Sequence, residues 1–185
     1  YARPMVESKE QLRQMAEERF GEDAGEFLKL IGFDSGTIEE VRNRASVNGI
    51  EYAIRLAGQA NADTGLNTPI YYYNFDAEIP GWDNPGTFHS VDLWFFFETL
   101  AKCWRPFVGK HYDLARQMCN YWANFIKAGD PNGIDATGEE MPHWAPYTPE
   151  EPYCMVFGDQ PVFAKKQPSE LMQFLVKHYF KRAKK

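Results

Sequence analysis

Hydrophobic residues recur at three- and four-residue spacing in several stretches of the chain, which is the pattern of amphipathic helices. Residues 7–31 show this spacing, but Gly21 and Gly25 interrupt it, so two shorter helices are predicted there. After the turn that follows, Thr37 is placed to cap a further short helix whose first turn carries acidic residues. The N-terminal third of the chain is therefore predicted to be helical.

Three further helices are predicted, the first two of them from their apolar stripes. The stripe of residues 46–60 consists of Ile50, Ala53, Ile54 and Ala57. Residues 111–128 carry the strongest stripe, formed by Leu114, Ala115, Met118, Cys119, Trp122, Phe125 and Ile126. Gly129 ends this helix, and a last helix opens at Ser169 and runs to about residue 182.

Two short runs rich in aromatic and β-branched residues predict strands instead. They cover residues 69–75 and 153–157. Residues 76–87 form a long loop rich in Pro, Gly and Asp, and residues 90–99 predict a helix whose first N–H groups Ser90 or Asp92 can satisfy. Helices that alternate with a few isolated strands indicate an α/β fold. Too few strands are visible for a complete sheet, so the chain is expected to be part of a larger fold.

The amino-acid composition limits the kinds of molecule that the chain is expected to bind. The formal net charge of −6 and the pI of about 5.3 argue against binding to nucleic acid or to an anionic membrane. No stretch resembles a signal peptide or a membrane span. The aromatic content of 16% favours a substantial folded interior.

The sequence does not indicate a metal site or a redox centre. The three cysteines cannot all pair within one chain and form no C-x-x-C unit, so reduced and buried thiols are expected. The run Asp130–Gly133 lacks the spaced ligands of a calcium loop, and the histidines other than His89 lie too far apart for a zinc site.

His89 is the strongest candidate for chemistry. It lies at the end of the Pro/Gly-rich loop, in the run Gly86–Phe97 (Gly-Thr-Phe-His-Ser-Val-Asp-Leu-Trp-Phe-Phe-Phe), with the carboxylate Asp92 three residues later. Such a loop can expose an imidazole while the apolar run anchors it to a rigid core. Taken alone, the residue is better interpreted as a structural histidine at a helix start than as a catalytic base.

Five segments in the same order resemble the type-B carboxylesterase family, the cholinesterase-like branch of the α/β-hydrolases. They are Tyr71–Asp76, Gly86–Phe97, Tyr121–Gly133, Trp144–Tyr147 and Met155–Gly158. The resemblance covers about the last third of such an enzyme. It implies the C-terminal part of a single α/β-hydrolase catalytic domain over residues 1–185, and it implies no cofactor.

The resemblance also assigns roles to individual residues. His89 matches the histidine of a Ser-His-Glu triad, which would act as general base on a serine hydroxyl and return the proton to the leaving alcohol. Asp92 stands where the family usually has Glu, so it would support the base, or it is a simple capping carboxylate. Trp82 and Phe88, on the loop before His89, are candidates for contacts with a small ester substrate.

The other parts of such a site are missing from the sequence. None of its five serines lies in G-x-S-x-G, and no acidic turn or oxyanion-hole glycine run precedes His89. We therefore expect the chain to be inactive alone and to need the N-terminal, nucleophile-bearing portion of the enzyme, or else to self-associate. The alternative is a non-catalytic cholinesterase-like adhesion or binding domain.

Overall fold

The computed structural model of the chain describes residues 6–66 and 68–183 and divides into two compact units. The helical unit combines residues up to Thr64 with those from Gln167 onward, and the sheet unit comprises Gly65–Lys166. The helical unit contains α1 (Lys9–Phe20), α2 (Ala24–Leu30), α3 (Ile38–Ala45), α4 (Gly49–Thr64) and α7 (Glu170–Ala183). The sheet unit contains β1 (Tyr73–Phe75), α5 (Asp92–Phe96), α6 (Gly109–Ala128), β2 (Tyr153–Phe157) and β3 (Val162–Lys165).

In the helical unit, the predicted break between α1 and α2 is confirmed, since a short 3₁₀ turn over Gly21–Asp23 separates the two helices. Thr37 caps α3 as expected, and it exchanges hydrogen bonds with Glu40 in a capping box. Apolar residues of α1, α2, α3 and α7 and of the turn after α2 form one core: Leu12, Ala16, Phe20, Ala24, Phe27, Ile31, Phe33, Val41, Leu171, Phe174 and Leu175.

The apolar stripe predicted for α4 is wrong. Ile50 is 70% exposed, whereas the buried positions are Arg55 and Gly58. The guanidinium of Arg55 can be buried because Nη2 lies 2.7 Å from a carboxylate oxygen of Glu51, one turn earlier on the helix. Ion pairing thus offsets the cost of burying a charged side chain on α4.

The sheet unit is built on a three-stranded mixed sheet in the order β1-β2-β3. β1 pairs parallel with β2, with Tyr73 opposite Met155, and β2 pairs antiparallel with β3. Both predicted strands are present, although β1 is shorter than expected, and β3 was missed. Among the described strands β1 has a partner on one side only, so its other edge is open. This sheet confirms the expected incomplete α/β architecture.

The helices of the sheet unit pack against this sheet through aromatic and aliphatic side chains. The core consists of Ala77, Ile79, Val91, Phe95, Phe96, Leu100, Phe107, Leu114, Ala115, Met118, Tyr121, Trp144, Met155 and Phe157. The stripe predicted on α6 is buried only in its first half, because Trp122, Phe125 and Ile126 near its end are exposed. Gly129 ends α6 with a φ of +72°, a conformation that glycine adopts without strain.

The longest helix, α6, is too polar for a bilayer, and nowhere in residues 6–66 and 68–183 does a helix combine the length and apolarity of a membrane span.

Candidate active site

His89 lies on the loop that leaves the carboxyl end of β1 and leads into α5. Its side chain is exposed, and within the described part of the chain it forms no hydrogen bond or ion pair. The next residue, Ser90, has a φ of +66°, which is rare for a residue other than glycine. In open α/β sheets, ligands bind beyond the carboxyl ends of the strands. An imidazole at this place is therefore available to a reactant.

Buried residues fix the chain directly after His89. Val91 and Phe95 are almost completely buried, and the amide of Val91 donates to the carbonyl of Phe88 at 3.2 Å. The ring of Phe95 lies 4.9 Å from that of Phe75, the last residue of β1. The apolar run thus anchors α5 to the sheet, while the imidazole of His89, three residues before α5 begins, stays in solvent.

Asp92 is the first residue of α5, and its carboxylate binds a strand. The hydroxyl of Tyr73 in β1 donates a hydrogen bond of 2.8 Å to Oδ2 of Asp92. The capping role considered for Asp92 or Ser90 is not observed, because no side chain caps α5 and the amide of Leu93 donates to the backbone carbonyl of Ser90 instead. Asp92 therefore ties the start of α5 to β1.

The phenol that meets Asp92 lies among other aromatic rings. Phe96, Phe157 and Trp144 have ring centroids 5.4, 5.9 and 6.2 Å from that of Tyr73. Burial raises the pKa of Tyr73 well above its usual range, and the hydrogen bond to Asp92 raises it further. Tyr73 thus remains a hydrogen-bond donor throughout the neutral and moderately alkaline range.

Trp82 and Phe88 are both at the surface of the same loop. The indole of Trp82 is 89% exposed and has the ring of Trp104 as a neighbour, at 6.2 Å. Phe88 meets Trp94 edge to face at 5.8 Å. Within the described chain the two rings are accessible, and Trp82 is not enclosed in a pocket.

Arg105 is a residue of this region that the sequence analysis did not single out. It follows Trp104 in the segment between α5 and α6, and its guanidinium forms an ion pair with Asp83 in the loop before His89. Asp83 and Arg105 are 22 positions apart, and neither belongs to a recognisable motif, so the pair had no sequence signal.

The serines have local roles or lie apart from a nucleophile motif. Ser8 accepts a hydrogen bond from Gln11 at the start of α1, and Ser169 accepts one from Met172 at the start of α7. The hydroxyl of Ser35 donates to the carbonyl of Gly32 within a turn. Ser46 follows α3 as its C-terminal cap residue. Ser90, adjacent to His89 in sequence, sits at a strained turn rather than on a strand-to-helix elbow.

The other histidines have different surroundings. His111 is buried at the start of α6, where Nδ1 accepts the amide hydrogen of Val108 at 3.0 Å. His178 on α7 contacts Asp23 at 3.3 Å, and His143 is exposed. Across residues 6–66 and 68–183, no group of three or more His, Cys, Asp or Glu side chains is arranged to hold a metal ion. The three cysteines are free thiols, but only Cys154 is buried.

The chain is similar in sequence to one protein family and to several individual proteins. The model of the carboxylesterase family matches residues 40–175. The chain is 30% identical to the cocaine esterase of Homo sapiens over 113 residues, which are 57% of the chain and 19% of that protein. It is 33% identical to the acetylcholinesterase of Gallus gallus over 85 residues, which are 43% of the chain and 10% of that protein.

Solved structures of esterases share the fold. An esterase from the anaerobe Clostridium hathewayi that hydrolyses aliphatic aromatic polyesters matches 98% of the chain with a TM-score of 0.51 and 18% identity. A PNB esterase matches 94% of it with a TM-score of 0.60 and 17% identity. The chain covers 35% and 34% of those two structures and a fifth or less of the two curated relatives. The expected fold, part of an α/β-hydrolase, is confirmed.

Proposed function

Because this chain belongs to the carboxylesterase family, we propose that it is the part of a carboxylic ester hydrolase that supplies the general base, His89. The observation that carries the proposal is the placement of an exposed imidazole beyond the carboxyl end of β1, with buried residues directly after it. That arrangement leaves the ring accessible to a second group while its backbone stays fixed.

The reaction that this base serves is acyl transfer through a serine. The imidazole takes the proton of the serine hydroxyl as the oxygen attacks the ester carbonyl, and it gives the proton to the leaving alcohol. Water then attacks the acyl-serine with the same base, which releases the acid and restores the hydroxyl. No cofactor takes part in this sequence.

We place the nucleophile, the triad acid and the oxyanion donors in polypeptide outside these 185 residues. The sequence has no G-x-S-x-G, and Ser8, Ser35 and Ser169 make local hydrogen bonds. The chain alone then lacks the donors that stabilise the tetrahedral intermediate, and it has no turnover.

The partner in this proposal is the N-terminal portion of the same enzyme, and self-association is the alternative. The open edge of β1 supports it, because an unpaired edge strand offers a row of backbone groups to another strand. The exposed rings of Trp122 and Phe125 leave apolar surface on the same unit. A clean monomer of the isolated chain on size-exclusion chromatography at low concentration would contradict self-association.

Asp92 and the loop aromatics take supporting roles. Asp92 holds the start of α5 against β1 through Tyr73 and thereby fixes the backbone that carries His89. Trp82 and Phe88 are accessible on the same loop, and we assign them to contacts with the acyl or alcohol group of a small ester.

Hydrolysis of p-nitrophenyl butyrate by the native full-length protein that contains this chain tests the proposal. His89→Gln should lower kcat by a factor on the order of 10² to 10⁴, because general-base catalysis contributes about that much. His143→Gln, which changes another exposed imidazole, is the matched control and should retain the activity. Full activity of His89→Gln would refute the role of this residue.

The same protein also decides between hydrolase and binding domain. Wild type that neither turns over short-chain esters nor becomes labelled by an organophosphate would favour the adhesion or binding alternative. Labelling of a serine in the full-length protein, with no label on the isolated chain, is the expected result.

A further inference from the structure

One guanidinium holds the loop that precedes His89. Nη1 and Nη2 of Arg105 lie 2.9 Å from the two carboxylate oxygens of Asp83, so the ion pair is bidentate. Nη1 also donates to the backbone carbonyl of Pro80 at 3.1 Å. The side chain of Arg105 is only 7% exposed, whereas that of Asp83 is 32% exposed, so water reaches the carboxylate side of the pair.

The same guanidinium is flanked by aromatic rings. Its Cζ lies 4.6 Å from the ring centroid of Trp104 and 5.7 Å from that of Phe88. Phe88 is the residue immediately before His89. Cations attract the faces of aromatic rings at such distances. Arg105 therefore contacts the loop at Pro80, at Asp83 and next to the histidine itself.

The absence of a side chain at Gly81 and the ionised state of Asp83 are both compatible with the contacts of Arg105. A Cβ atom on Gly81 would collide with Nη1 of Arg105 and with a carboxylate oxygen of Asp83, so glycine permits the close approach. The hydrogen bonds from Arg105 hold the pKa of Asp83 below its usual range, so the carboxylate stays charged further into acidic solution. Nε of Arg105 is buried without a partner in the described chain, so its hydrogen bonds come from the two Nη atoms.

We propose that Arg105 is a positioning residue for His89, an inference that rests on the proposed esterase function. Arg105 holds the loop on one side of the histidine, while Val91 and Phe95 hold the chain on the other side. Arg105 touches no reacting atom. It acts by restricting where the imidazole can be, and so it affects the chemical step rather than substrate binding.

Arginine is needed for its geometry as well as for its charge. Its planar fork gives each oxygen of Asp83 a nitrogen of its own and stacks on Trp104, whereas an ammonium has a single nitrogen and no flat face. Arg105→Lys keeps the charge and removes the fork, so it separates the two contributions. Asp83→Asn is a milder second variant that leaves Arg105 in place.

The experiment combines ester kinetics with hydrogen–deuterium exchange in the native full-length protein. Arg105→Lys and Asp83→Asn should lower kcat for p-nitrophenyl butyrate by about 10- to 100-fold with KM unchanged, since small misplacements of a catalytic group have effects of that size. Both should speed amide exchange in residues 80–90 while α6 and the sheet keep their protection. Arg116→Lys is the matched control, because Arg116 forms an exposed pair with Asp113 on α6.

The outcomes separate this inference from the function on which it rests. Unchanged exchange in residues 80–90, or unchanged kcat in an enzyme that His89→Gln inactivates, overturns the positioning role and leaves the esterase proposal intact. Wild type without turnover overturns the esterase proposal and the catalytic consequence together, and the exchange data then still decide whether Arg105 orders the loop. An equal loss in both Arg105→Lys and Arg116→Lys also contradicts the inference.

Discussion

Replacing Tyr73 with phenylalanine removes one oxygen from the contact between β1 and the start of α5. In the wild type this hydroxyl donates at 2.8 Å to the carboxylate of Asp92. The ring itself stays, with its contacts to Phe96 and Phe157. The substitution therefore tests the hydrogen bond and leaves the aromatic packing in place.

The expected loss is about 1.5 kcal/mol of unfolding free energy. Hydrogen bonds to charged groups contribute about 1.5–3 kcal/mol, and the lower end applies because Asp92 is half-buried and water can replace the phenol. For a protein of 185 residues this loss lowers Tm by about 3–6 °C.

Urea unfolding of wild type, Tyr73→Phe, Asp92→Ala and the double variant measures the effect. Because both single variants break the same bond, the double variant should be little worse than either one. The slope m should stay the same, since the buried surface is unchanged. Additive losses in the double variant would show that the two residues stabilise the protein through separate contacts.

The pH dependence gives an independent check. The folded-state pKa of Tyr73 is raised above its unfolded value of 10.0, so its contribution is complete below pH 10 and is lost as the pH rises toward the folded value. The phenylalanine variant has no such slope. The stability difference between wild type and Tyr73→Phe should therefore shrink above pH 10, and a difference that stays constant would refute the reasoning.

Four further outcomes follow from the sheet unit. Phe157→Ala empties a fully buried position and should cost about 3–5 kcal/mol in urea unfolding, and a loss below 1 kcal/mol would contradict the packing. Gly81→Ala should speed hydrogen–deuterium exchange in residues 80–90, because its methyl group collides with Arg105, and unchanged exchange would argue against the close approach. Burial raises the pKa of Tyr121 to about 12, so Tyr121→Phe should lose less stability than wild type between pH 10 and about 12; parallel urea-midpoint curves would contradict this. Ile126→Lys should shift any self-associated chain toward monomer on size-exclusion chromatography, and an unchanged elution volume would exclude this end of α6 from the contact.

The sequence predicted the elements that depend on local signals. Gly21 separates α1 from α2, Thr37 caps α3, and Gly129 ends α6, because each acts through its own backbone or its nearest turn. Neighbouring residues likewise predicted that His89 lies on an exposed loop before an apolar run.

The features that the sequence did not predict depend on contacts between residues distant in sequence or on unusual local backbone geometry. β3 has mostly exposed residues and forms by pairing with β2, so its own composition gave no strand signal. α5 is shorter than predicted because Ser90 and Glu98, both with positive φ, bracket it. The bond of Asp92 to Tyr73 and the contacts of Arg105 to the loop depend on the folded arrangement, which no periodicity encodes.

The parallel pairing of β1 with β2 has a consequence for how the chain folds. Residues 76–152 lie between the two strands, and they include α5 and α6. A long excursion of this kind delays strand pairing, because the entropy of closing the loop is lost before any ladder bond forms. During synthesis the edge of β1 that pairs with β2 must therefore stay unpaired until Phe157 has emerged. A nascent chain arrested before that point would be the form most prone to aggregate.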